Sequence, residues 1–233
     1  MLARLKGTEM TAILTEPVVS ETEQRIVLSR IGWDQYEAIL RALPDQAGVK
    51  IVYQGGRLTL MSPSRSHDWH AKKIGQLITS VAIASGMEIE EAGHATFRSK
   101  EACSGVEADE SYYLGDNAVL MRGPQNVNLE KQPPPDIVIE VEVTHKADDA
   151  VISWAKLGVP EVWRLDVDRR QFTFGIRNSE GVYAVSPKSR AFPFLKPDDV
   201  LTQLRLVEEI GTARWLSQLD QWVRTVLIPR RQA

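Results

Sequence analysis

The stretch Pro133-Pro134-Pro135-Asp136-Ile137-Val138-Ile139-Glu140-Val141-Glu142-Val143 constrains this chain more than any other. Side chains alternate between the two faces of a strand. Ile137, Ile139, Val141 and Val143 therefore share one face, and Asp136, Glu140 and Glu142 gather around Val138 on the other. Branched residues favour the extended chain, whereas a proline run cannot belong to a hydrogen-bonded ladder, so the strand starts just after Pro135. Carboxylates crowded on one side of a mostly buried strand repel one another and lose hydration. A bound divalent cation relieves both penalties, which makes the strand a candidate metal site. The plainer alternative is an edge strand whose acidic face is simply wet.

A second acidic cluster, Glu107-Ala108-Asp109-Glu110, precedes Ser111-Tyr112-Tyr113-Leu114, which reads as a short strand entered from an acidic turn. The loop from Gly115 to Pro135, rich in Gly, Pro and Asn, leaves enough chain to bring Asp109 and Glu140 onto neighbouring strands. Two carboxylates so placed suit Mg²⁺, a hard cation that takes oxygen ligands and keeps several waters.

At this point the residues carry a resemblance. Gly32-Trp33-Asp34-Gln35-Tyr36, then Gly56-Arg57-Leu58-Thr59-Leu60-Met61-Ser62-Pro63-Ser64 with His67, occur in order with Glu107 to Tyr113, the strand Pro135 to Val143, and Leu157-Gly158-Val159-Pro160-Glu161-Val162-Trp163-Arg164. The set resembles the Uma-two family of endonucleases, within the PD-(D/E)XK nuclease superfamily, over roughly residues 25–170. The resemblance implies an α/β fold with a restriction-endonuclease-like mixed β-sheet flanked by helices. It also implies a site binding Mg²⁺ or Mn²⁺, with Asp109 as the first acid and Glu140 as the second, and nucleic acid, DNA foremost, as substrate.

The chain departs from that pattern at its basic positions. The superfamily's lysine, two residues after the second acid, is Glu142 here, and the basic position on the following helix is Ala150. Relatives carry Glu where this chain has Thr59, and Glu where it has Asp68. Lys146 is the nearest substitute in sequence, with a flexible stem that could reach the site. The expected catalytic set is therefore Asp109, Glu140, Glu142 and Lys146, with Asp109 and Glu140 as metal ligands. Glu142 would accept a proton or bind a second metal, and Lys146 would stabilise the transition-state anion. Loss of both basic positions is also what a non-catalytic binding protein on a nuclease scaffold would show.

Composition bounds the remainder. A chain of 233 residues can bury one good core, and one domain over residues 21–233, behind a loose arm at 1–20, is the expectation. A net charge of −3 lacks the strongly basic footprint of many nucleic-acid binders, although a cleft needs only a local stripe. Arg65, Lys72 and Lys73 beside His67, and Arg164, Arg169, Arg170 and Arg177, are the candidate stripes, with solvated surface as the plainer reading. The single Cys103 rules out an internal disulfide and any multi-cysteine zinc site. With no signal-type segment and no apolar run near the ~18 residues of a membrane span, a cytoplasmic protein is expected.

Periodicity supplies the elements. Strands are expected at Arg25–Leu28, Val49–Tyr53, Arg57–Met61, Met87–Glu91, His94–Arg98, Glu161–Val167, Gln171–Ile176 and Val182–Val185, and helices near Trp33–Leu43, Ser66–Ala84 and Lys146–Leu157. A helical tail from Pro197 to Leu227 carries an apolar stripe, Trp215, Leu219, Trp222, Val223 and Val226, suited to core or to a homodimer interface. His67 and His70 lie three apart on a helix without a His-Glu-x-x-His pattern, which argues against a zinc hydrolase, while His67 could line the acidic site. Asp136, at the strand entrance, suits a cap or turn. A purely structural or partner-binding dimer that uses the Trp215–Val226 helix is the third reading.

Overall fold

The computed structural model describes residues 23–43, 48–123, 127–144 and 147–231. The expected arm at 1–20 and Lys146 lie outside these described residues. Two sheets form the frame. The first is antiparallel, in the order β1-β3-β2-β6-β5, from β1 (Gln24–Ser29), β2 (Lys50–Gln54), β3 (Arg57–Ser62), β5 (Thr96–Ser99) and β6 (Ser104–Glu107). The second has six strands in the order β11-β10-β9-β8-β7-β4: β4 (Ile89–Glu91), β7 (Glu110–Leu114), β8 (Ile137–Glu142), β9 (Glu161–Asp166), β10 (Gln171–Arg177) and β11 (Tyr183–Ser186). It is mixed, because β8 and β9 run parallel and its other pairs antiparallel. A short helix, α3 (Asp116–Leu120), lies between β7 and β8, and the parallel pair needs a crossover, which α4 (Asp148–Lys156) supplies.

Strand β8 is central and buried along its whole length, so the wet-edge alternative does not hold. Its odd face, Ile137, Ile139 and Val141, packs with α2 (Arg65–Ala84), α5 (Pro197–Ile210) and α6 (Thr212–Trp222). Its even face looks the other way. Val138 there joins Val52, Phe97 and Val106 of the five-stranded sheet and Trp154 of α4 in a second core. Helix α1 (Trp33–Ala42) covers the far side of the five-stranded sheet, where Tyr36 stacks on Tyr53 at 4.6 Å between ring centroids.

The expected mixed sheet flanked by helices is thus present, joined by a second sheet whose β6 carries no strong periodic signal. The tail differs from one continuous helix. Gly211, at φ +79°, breaks it between α5 and α6, because only glycine adopts that conformation without a Cβ penalty. A π-helical turn, Val223–Leu227, then a short 3₁₀ segment, Ile228–Arg231, complete the described chain. Trp215, Leu219 and Val223 are buried in the chain's own core and Trp222 packs half-buried against it, while Val226 is exposed, so the chain covers most of the stripe but not its end. No helix among the described residues is long and apolar enough to cross a membrane.

Candidate active site

Asp109 sits where the chain leaves β6 of one sheet and enters β7 of the other. Its amide donates to Ile139 O of β8, and its carboxylate Oδ2 accepts from the Val141 amide at 2.7 Å. The side chain is thereby clamped beside Glu140. Glu140 is fully buried on the even face of β8, and Trp154 of α4 donates its indole N–H to Glu140 Oε1 at 2.6 Å.

Between the two acids stands Lys50. Its Nζ donates to Asp109 Oδ1 at 2.6 Å and to Glu140 Oε2 at 2.7 Å. Those two carboxylate oxygens can be no farther apart than the two bonds laid end to end. Sequence reasoning did not find Lys50. The signal is a lysine on the same strand face as buried Val52, inside a run that periodicity marks only as a strand. The strand's alternation sends Lys50 and Val52 toward α4 and the six-stranded sheet, and Ile51 and Tyr53 toward α1.

Charge and burial oppose each other in this cluster. Burial by itself would raise the Asp109 carboxyl, but Lys50 and His67 outweigh it and hold the group far below the usual carboxylate range. Burial would lower the Lys50 ammonium, yet its two acids raise it. Glu140 has burial as its largest influence and is pushed up to about 7, despite Lys50. His67, from the first turn of α2, is buried with Nε2 3.1 Å from Asp109 Oδ2, a charge contact rather than an aligned hydrogen bond. Burial lowers its pKa, the Asp109 carboxylate raises it, and the net shift is upward.

Glu142 follows Glu140 on the strand face but has other partners. Its Oε1 takes the Arg164 guanidinium from β9, through Nε at 3.0 Å and through Nη2, and the Ala147 amide at 3.2 Å. No contact joins it to Lys50 among the described residues. Of the expected set, the structure therefore brings Asp109 and Glu140 together and occupies Glu142 with Arg164. Asp136 does serve the strand entrance, accepting from the Leu114 amide and Asn117 Nδ2. The basic stripes are mostly engaged: Lys73 is buried over the Trp69 and Trp215 rings, and Arg177 donates to Ala155 O, whereas Arg65 and Lys72 are exposed.

As a metal site, the donors fit in kind. Two buried carboxylates converge on one positive charge, which is how oxygen ligands hold a hard cation. Here that positive charge is the Lys50 ammonium. Among the described residues no group of three or more His, Cys, Asp or Glu side chains is assembled for a metal, so the remaining ligands would be waters or substrate oxygens.

The comparisons set this mixed sheet, with its buried acids where it meets a second sheet, beside the fold of a nuclease family. The crystal structure of a "putative nuclease belonging to DUF820" from Anabaena variabilis ATCC 29413 superposes with a TM-score of 0.50 at 15% identity, covering 76% of this chain and 96% of that one. The family model Uma2, described as "Putative restriction endonuclease", matches residues 33–209, and the chain belongs to that family. No curated protein matches the chain in sequence.

Proposed function

We propose that this protein is a divalent-metal-dependent nuclease that hydrolyses phosphodiester bonds of nucleic acid. The observation that carries the reading is the convergence of two buried carboxylates, Asp109 and Glu140, on one positive charge, the Lys50 ammonium. A carboxylate pair buried in this way is costly unless it holds positive charge. Asp109 and Glu140 would hold Mg²⁺ or Mn²⁺, and that ion supplies electrostatic stabilisation of the charge developing on the phosphoryl oxygens. The Asp109 clamp on the Val141 amide and the Trp154 bond to Glu140 fix both acids before substrate arrives, so little reorganisation accompanies reaction. His67 stands 3.1 Å from Asp109 and is an imidazole able to carry a proton. The family match and the shared fold support this reading.

The test is cleavage of single- and double-stranded DNA and RNA with Mg²⁺ or Mn²⁺, for the wild type and for Asp109→Asn and Glu140→Gln. Metal-dependent cleavage lost in both variants is the expected result. Cleavage that survives both substitutions rejects the site. A second reading is favoured by one specific observation: Lys50 already neutralises both acids, as it would in a nuclease scaffold kept for binding alone. Nucleic-acid binding without cleavage under any metal would select it.

A further inference from the structure

We propose that Lys50 is a displaceable internal cation, which neutralises Asp109 and Glu140 in the metal-free protein and moves into an adjoining cavity when a divalent ion enters. This inference rests on the metal-site reading above. The Lys50 ammonium lies 2.6 and 2.7 Å from the oxygens that would coordinate the ion, so lysine head and metal compete for one position. A lysine can yield that position without moving its backbone, because its charge rides on a flexible four-carbon stem.

The structure supplies a place for the displaced head. A cavity of about 40 Å³ adjoins the site, lined by Lys50 itself, Val52, Thr59, Met61, Glu140 and Asp149 among others. That is room for a group the size of a water or an ammonium. Thr59 lies directly across from Val52 in the β2–β3 ladder, and Met61 across from Lys50, so the cavity floor is the strand face that carries Lys50. The Thr59 side chain is buried, and its hydroxyl oxygen has no hydrogen-bond partner among the described residues. A buried hydroxyl in that condition is costly, and an ammonium head would satisfy it. Asp149, at the cavity wall, adds a carboxylate, held at 2.9 Å by Arg57 and at 3.4 Å by Arg25. The cavity therefore offers the lysine an oxygen acceptor, beside a carboxylate already paired with Arg57 and with Arg25, which also lines the cavity.

The experiment is calorimetric titration of the full chain with Mn²⁺, with thermal melting in parallel, for wild type, Lys50→Met and Thr59→Val. Removing the internal competitor should tighten Mn²⁺ binding at least about tenfold in Lys50→Met, because the binding-competent state no longer has to be released. Removing the receiving oxygen should weaken binding several-fold in Thr59→Val. If Lys50→Met is unfolded without metal, recovery of its melting transition on adding Mn²⁺ is the same result, and failure to recover overturns the proposal. Equal affinity in wild type and Lys50→Met overturns displacement and leaves the metal site standing. Absence of Mn²⁺ binding in both overturns the metal-site reading and the displacement together.

Discussion

Trp154 donates its indole N–H to Glu140 Oε1 at 2.6 Å, so the helix that crosses over between the two parallel strands also orients the acid on the first of them. The ring is held in turn by an edge contact with Phe97 at 5.4 Å. Trp154→Phe keeps much of the apolar packing and removes the donor. It should cost about 1–3 kcal/mol, the penalty of an unsatisfied buried acceptor, read by urea denaturation. Metal affinity should fall by about tenfold or more, as when a partner that orients a ligand is lost.

Acid should weaken the fold through Asp109. Burial raises this carboxyl, but the attraction of Lys50 and His67 prevails and its folded-state pKa is depressed. A depressed carboxyl contributes stability above its unfolded pKa of about 3.9 and loses it as pH falls toward the folded value. Wild-type stability should therefore drop as pH is lowered below about 4, and Asp109→Asn should show a shallower drop over the same range. Denaturation midpoints across that range check the difference. An equally steep loss in the variant would assign the acid sensitivity to other groups.

Glu142 and Asp109 should separate by phenotype. The Glu142 carboxylate is held by Arg164 and the Ala147 amide, at the start of α4, and not by Lys50. Glu142→Gln is expected to lower stability while leaving Mn²⁺ binding intact, whereas Asp109→Asn should abolish Mn²⁺ binding. Loss of Mn²⁺ binding in a folded Glu142→Gln protein would place a third carboxylate on the ion.

Packing of α1 on its sheet depends on Gly105. A Cβ at that position would overlap the Tyr36 hydroxyl and the ring carbon that bears it, and that side chain is fully buried and stacked on Tyr53. Gly105→Ala should destabilise by about 1–3 kcal/mol, the usual cost of overpacking a closed core. A thermal melt unchanged from wild type would mean that α1 shifts freely on the sheet.

Alternation along β8 was legible from the residues alone, because a period of two is set by the backbone of one strand and needs no partner. The same local logic recovered α2, the strands β2 and β3, and the role of Asp136 at the entrance to β8. The break at Gly211 is hidden from periodicity, since the apolar pattern continues on both sides of it. Lys50 could not be read in that way. It stands 90 positions from Glu140, on another sheet, and nothing near it in sequence pairs a lysine with an acid. Only the packing of one sheet over the other, with α4 packed on β2 and β6 and its Trp154 reaching Glu140, decides which strand face meets the carboxylates. Glu142 makes the same point in reverse. The strand's own geometry put it beside Glu140 on one face, but the neighbouring strand put Arg164 within its reach, and a guanidinium at hydrogen-bonding distance decides what a buried carboxylate does.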